Sequence, residues 1–166
     1  MLIGMMGSGK TTVGKAYAER IGRPFVDTDQ MIEAKTGRTV RDLFADDGEA
    51  AFRVLESGVL IDALARTEPH VIAAAGGAVL SEVNRLAMRE SANVVWLRAM
   101  PATLASRVGP RAGRGHRPLI DDNPLQRITQ MVHDRADVYA DAANVVIDVD
   151  LLNKSNVLDL LDVVLA

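Results

Sequence analysis

The chain has 166 residues, 48% of them hydrophobic and 25% charged, with a formal net charge of −3. That size fits one domain around one core, and so much apolar content excludes an intrinsically disordered chain. The net charge excludes a global basic field for nucleic acid, and the absence of cysteine excludes disulfides and thiolate metal sites. No apolar run reaches the roughly 18 residues of a membrane span. Met1-Leu2-Ile3 runs straight into a glycine-rich loop, unlike a signal sequence. The expectation is a cytoplasmic monomer with neither a nucleic-acid nor a membrane partner.

In chain order, five short β-rich runs alternate with longer helical patterns. Leu2-Ile3, Pro24-Phe25-Val26, His70-Val71-Ile72-Ala73, Val94-Val95-Trp96-Leu97 and Val145-Val146-Ile147 are predicted strands. They are continuously apolar, as expected of strands covered on both faces. Leu2-Ile3 is short for a central strand, which leaves open whether the chain natively starts further upstream. Val13, Ala16, Tyr17 and Ile21 repeat at helical spacing. So do Leu125, Ile128, Val132, Ala136 and Tyr139, and then Val157, Leu160, Leu161 and Val164. Strand–helix alternation predicts an α/β fold, a parallel sheet between two helical layers. Residues 30–66 break that layering with about three helical segments in a row, long enough for a substrate-binding insertion. Residues 108–117 hold three glycines, a proline and no apolar period, and predict a mobile loop.

Gly4-Met5-Met6-Gly7-Ser8-Gly9-Lys10-Thr11 matches the phosphate-binding pattern G-x-x-x-x-G-K-[ST], with a strand before it and a helix after. Its glycines let backbone N–H groups converge where side chains would obstruct, and the helix adds its positive end. Lys10 can then reach the β- and γ-phosphates, and Thr11 can ligate Mg²⁺. Phosphoryl transfer also needs carboxylates. Asp27-Thr28-Asp29 ends the second strand, and on extended backbone residues i and i+2 point the same way, toward the cradle. The alternative for Asp29 is the N-cap of the helix beginning near Met31. The third strand ends in Gly76-Gly77 with no acid, which moves the metal role onto Asp27 and suggests a close approach to the Gly76-Gly77 backbone.

These residues carry a family resemblance. The loop, Asp27-Thr28-Asp29, Phe52-Arg53-x-x-Glu56, Gly76-Gly77-Ala78-Val79, Arg117-Pro118-Leu119-Ile120 and Arg135 four residues before Tyr139 occur in an order and spacing that resemble the shikimate kinases, from Leu2 to about Asp150. The resemblance implies a three-layer α/β/α P-loop kinase fold over 1–166, with five parallel strands, the insertion at 30–66 and a lid at 108–118. It implies ATP and shikimate as substrates and Mg²⁺ as cofactor. Lys10, Asp29 and Arg117 would be catalytic, and Asp29 would orient the attacking hydroxyl or accept its proton. Gly7, Ser8, Gly9, Lys10, Thr11, Thr12, Arg107 and Arg117 would serve ATP, and Thr11 and Asp27 the metal. Arg53 and Arg135 would clamp the substrate carboxylate, Glu56 would position Arg53, and the Gly76 and Gly77 backbone would bond substrate. Phe44, Phe52 and Leu119 would line its pocket. Adenine contacts would come from backbone within residues 148–153.

Two features depart from that pattern. Ala75 stands where the family usually has a first glycine, which restricts the backbone there to φ < 0. The lid before Arg117 is about three residues longer than the family's usual pattern. Two other functions stay open at this level. One is a P-loop kinase for another acceptor, such as gluconate or a nucleoside monophosphate. The other is a non-catalytic nucleotide-binding relative, which Ala75 keeps in play.

Overall fold

The computed structural model describes residues 1–108 and 123–166. Arg111, Arg114, His116, Arg117 and Leu119, and with them most of the expected lid, lie outside the described residues.

Five strands form one sheet in the order β2-β3-β1-β4-β5. They are β1 (Leu2–Ile3), β2 (Phe25–Asp27), β3 (Val71–Ala73), β4 (Val95–Arg98) and β5 (Val145–Asp148). All pairings are parallel, with Leu2 opposite Ala73 on one side and Val95 on the other. The second and fourth strands sit one residue further along the chain than the apolar runs alone suggest. Hydrogen bonding to neighbours carries each into a polar residue, Asp27 and Arg98.

Burial separates the interior strands from the rim. β1, β3 and most of β4 are buried on both faces. β5 is an edge strand, with Val146 at 42% exposure, so continuous apolarity there does not mean two covered faces.

Helices α1 (Lys10–Arg20), α2 (Thr28–Thr36) and α3 (Val40–Leu64) precede β3. After it come α4 (Glu82–Ser91), α5 (Pro101–Val108), α6 (Pro124–Ala142) and α7 (Lys154–Val164). Right-handed crossovers decide the layers. The chain runs from β1 to β2 in one lateral direction and from β2 to β3, β3 to β4 and β4 to β5 in the other. The connecting helices therefore fall on opposite faces. α1 packs with α7 on one side, while α3, α4, α5 and α6 form the other layer. α3 is broken at Gly48, whose φ of 81° and ψ of 167° are not helical, so 28–64 holds three helical segments in a row. That matches the insertion expected between the second and third strands.

The helical stripes are those predicted, with one shift. Val13 and Tyr17 of α1 and Ile128 and Tyr139 of α6 are buried, whereas Leu125 is half exposed at the helix start. In α7 the buried residues are Val157, Leu158 and Leu161, while Leu160 and Val164 look outward. The pattern 157, 158, 161 faces α1 and the sheet; 160 lies about a third of a turn away, and 164 is the last residue of the helix.

Leu161→Ala is expected to cost about 2–5 kcal/mol, and Leu160→Ala only about 0.5 kcal/mol. Urea unfolding of the two variants checks this, and equal costs would contradict the observed face of α7.

Candidate active site

β1 and β3 are neighbours, and the chain leaves their carboxyl ends in opposite lateral directions. In an open α/β sheet this is where a crevice forms. Here the loop after β1 and the turn after β3 wall a single cleft of about 1190 Å³.

The loop after β1 curls because Gly4, Gly7 and Gly9 all have positive φ, at 149°, 82° and 98°. Added bulk is also barred: a Cβ on Gly7 would come within 3.0 Å of Leu104 O and closer still to Val108. No side chain caps α1, so its first-turn amides are directed into the loop. Lys10 folds back over it, donating from Nζ to Gly4 O at 2.7 Å and Met5 O at 3.2 Å. Ser8 is buried, and its Oγ has no hydrogen-bond partner among the described residues.

The acidic pair divides its work differently from the extended-strand expectation. α2 begins at Thr28, so 27–29 is not extended and the cap is Asp27, not Asp29. Asp27 Oδ1 accepts from the Asp29 and Gln30 N–H groups, and Oδ2 accepts from Thr11 Oγ1 at 2.8 Å. Thr28, buried between the acids, accepts from Ala75 N–H at 2.8 Å and ties β2 to β3. Asp29 stands in the first turn of α2 and lines the cleft with Lys10. Thr11 and Asp27 together offer two hard oxygen donors. Among the described residues no cluster of three or more His, Asp or Glu could cage a metal. Such a sparse oxygen set suits a cation that keeps most of its shell as water and phosphate.

Arg53 and Arg135 line the same cleft. Arg53 is one turn from both its carboxylates on α3: Nη1 donates to Glu56 Oε2 at 2.8 Å, and Nη2 to Glu49 Oε1 at 3.0 Å. Its guanidinium lies 5.4 Å from the Phe44 ring and 5.6 Å from Phe52, which contact each other at 4.3 Å. These rings and Glu56 hold a head group that the β3 turn also shapes. A Cβ on Gly77 would overlap Arg53 Nη1. Gly77 is therefore required by the arginine's position. Burial pushes the Glu56 carboxyl above its ordinary value, and the Arg53 guanidinium only partly offsets this. Arg135 is near enough to act electrostatically on Glu56 too.

Ala75 takes the place of a glycine without strain. Among the described residues no non-glycine has positive φ, and the Ala75 methyl is packed into the main core. Arg107 bridges the loop after β1 and the segment after β5, donating to Gly7 O at 3.4 Å and Val149 O at 3.3 Å. Thr12, Gly76 and Gly77 also line the cleft. So do Glu33, Arg41 and Lys154, which the sequence reading did not single out. Arg41 could have been found from its i, i+3 spacing to Phe44. Lys154 had no such signal, because only folding brings α7 to the loop after β1.

A phosphate cradle at the switch point of a parallel sheet, sharing its cleft with basic side chains from a helical insertion, defines a P-loop kinase of small molecules. The family model for shikimate kinase matches residues 6–164, and the chain belongs to that family. A shikimate kinase from Symbiobacterium thermophilum is 48% identical over 151 residues, covering 90% of this chain and 86% of that one. One from Thermobifida fusca is 43% identical over 147 residues, covering 89% and 83%. A solved shikimate kinase from Acinetobacter baumannii, in complex with shikimate, superposes with a TM-score of 0.91 at 33% identity, covering 99% and 90%.

The raised Glu56 pKa has a stability consequence. Between the unfolded value near 4.5 and the higher folded value, the native protein holds the proton more tightly than the unfolded chain. Native stability from this group is thus lost as pH rises through that window. Glu56→Gln is expected to remove the loss, so its urea midpoint gains more, or falls less, than the parent's between pH 4.5 and 7. Parallel curves would show that Glu56 titrates as an ordinary carboxyl.

Proposed function

We propose that this chain transfers the γ-phosphoryl group of ATP to the 3-hydroxyl of shikimate, giving shikimate 3-phosphate and ADP. The observation that carries the reading is the common cleft of Lys10, Arg53 and Arg135. A phosphate cradle and a paired guanidinium grip for a carboxylate open onto the same space. Bidentate guanidinium–carboxylate geometry suits a small ring acid.

In this reading the loop amides and Lys10 take the triphosphate, and Lys10 exchanges its bonds to Gly4 O and Met5 O for phosphate oxygens. Gly7, Ser8, Gly9, Thr11 and Thr12 complete the cradle. Thr11 and Asp27 would hold Mg²⁺, which would neutralise phosphate charge. Arg107 packs at the adenine end. Arg53, oriented by Glu56, and Arg135 hold the shikimate carboxylate, with Phe44 and Phe52 as the apolar wall and the Gly76-Gly77 backbone beneath. Asp29 orients the 3-hydroxyl and receives its proton as the new O–P bond forms and the bond to the β-phosphate oxygen breaks. Arg117 and Leu119, outside the described residues, keep the roles the resemblance implies, phosphate contact and pocket wall. Positioning and fixed charge supply most of the rate. The whole of 1–166 acts as one kinase domain, a cytoplasmic monomer with no nucleic-acid or membrane partner. No helix among the described residues is long and apolar enough to cross a membrane.

Lys10→Ala is expected to lose about 2–4 kcal/mol of transition-state stabilisation, seen as a fall in kcat. Arg135→Ala should instead raise the KM for shikimate, by about 2–5 kcal/mol in apparent binding, and leave the KM for ATP nearly unchanged. Steady-state ADP release separates the two patterns. A near-normal kcat in the first, or an unchanged shikimate KM in the second, removes that residue from its role.

The same assay run with ATP and Mg²⁺ against shikimate, gluconate and nucleoside monophosphates tests the acceptor. Shikimate alone should accelerate ADP release. Equal turnover with gluconate would overturn the assignment.

A further inference from the structure

The cleft floor contains a peptide group with unusual freedom. Gly76 and Gly77 both lack a Cβ, so the peptide plane between them can turn over with little steric resistance. The preceding residue is already anchored, because Ala75 N–H donates to Thr28 Oγ1. For the Gly76–Gly77 peptide the anchor comes from the other layer. Tyr139 Oη donates to Gly76 O at 2.6 Å, from a side chain only 1% exposed. The phenol ring stacks on Trp96, with centroids 5.3 Å apart and planes at 12°. Burial raises the phenol's pKa, so the hydroxyl stays protonated and keeps donating.

Every described peptide bond is trans, so the carbonyl and the following N–H point in opposite directions. With the Gly76 carbonyl turned to the buried Tyr139, the Gly77 N–H is turned away from it. No described group accepts a hydrogen bond from that N–H. Gly77 lines the cleft, and its Cα stands directly against the Arg53 guanidinium.

We propose that Tyr139 is a positioning residue for the acceptor: it locks the orientation of the Gly76–Gly77 peptide so that the Gly77 N–H, beside the Arg53 guanidinium, is presented to an oxygen of the carboxylated substrate. The inference rests on shikimate being that acceptor. Tyr139 lies one turn beyond Arg135 on α6. The same hydrogen bond therefore holds the helix carrying one arginine against the turn that borders the other. Without the hydroxyl, the peptide turns over part of the time and offers a carbonyl oxygen where the substrate oxygen must sit.

Tyr139→Phe keeps the ring and its stack on Trp96 and removes only the hydroxyl. The KM for shikimate is expected to rise about three- to tenfold, the scale of one positioned hydrogen bond, with the KM for ATP unchanged. In the unmodified protein, shikimate should shift the Gly77 amide resonance in a ¹H–¹⁵N spectrum, and that shift should shrink in the variant. A shikimate KM unmoved by the substitution would overturn the proposal. So would shikimate and ATP constants that rise together, the mark of general loosening. Should Tyr139→Phe fail to fold, a Gly77 amide unmoved by saturating shikimate in the unmodified protein overturns it equally. An unmodified protein that neither binds nor phosphorylates shikimate would instead sink the acceptor assignment, and this proposal with it.

Discussion

Everything at the site depends on the adjacency of β1 and β3 and on their shared direction. Because both strands end at the same edge, a loop that binds anions and a turn made of two glycines face each other across a few ångströms. A Cβ on Gly76 would meet Gly4 O at 3.5 Å and Met6 N at 3.7 Å. A methyl there would make ordinary contact, and the space beyond it is the cleft itself. An acidic side chain there, in place of a glycine, would fill the space between cradle and acceptor. A carboxylate comes instead from β2, one strand further out, where Asp27 accepts a hydrogen bond from Thr11.

Charge in the cleft is balanced locally, not globally. The chain is net negative, yet Lys10, Arg53, Arg107 and Arg135 all line one cleft. Each of the two best-defined cations has a protein partner. Lys10 bonds loop carbonyls, whose partial charges give way readily to phosphate. Arg53 bonds Glu56, a full carboxylate that stays with it. The difference fits two tasks. In the proposed reaction Lys10 follows the transferring phosphate, and Arg53 presents a planar fork that a carboxylate, two aromatic rings and a glycine with no Cβ hold in place. Glu56 bears the cost of that firmness in its desolvation, and the cost is tolerable because the pair is hydrogen-bonded.

The outer ion pairs have less to do with function. Arg20 bridges α1 to Asp159 and Asp162 of α7, and Arg85 and Arg89 meet Asp141 across α4 and α6. These carboxylates are about half exposed, and such contacts contribute little each. They fix which helices are neighbours less than the buried residues do. Leu161, Ile128 and Met88 are fully buried and place α7, α6 and α4 on the sheet.

The phosphate cradle, the Thr11–Asp27 vicinity and the Arg53–Glu56 pair could be read from the chain directly. Their geometry is set within a few residues, by a turn that only glycine can make or by one turn of helix. Where local rules were applied across a boundary they slipped. Asp27, not Asp29, caps α2 because hydrogen bonding to β3 carries β2 to Asp27 and the helix begins at once. Leu158, not Leu160, enters the core because α7 rotates to meet α1. Contacts between distant segments were illegible for a physical reason: no local spacing encodes them. That Gly77 must yield to Arg53, that Tyr139 reaches Gly76 across 63 residues, and that Lys154 lines the same cleft are products of packing three layers together. The sequence by itself determined the phosphate loop, its acids and the arginine–carboxylate turn, since backbone conformation and helical periodicity are short-range. The tertiary structure alone decided that these pieces share one cleft and which buried hydroxyl orients its floor, since burial and strand order are properties of the whole chain.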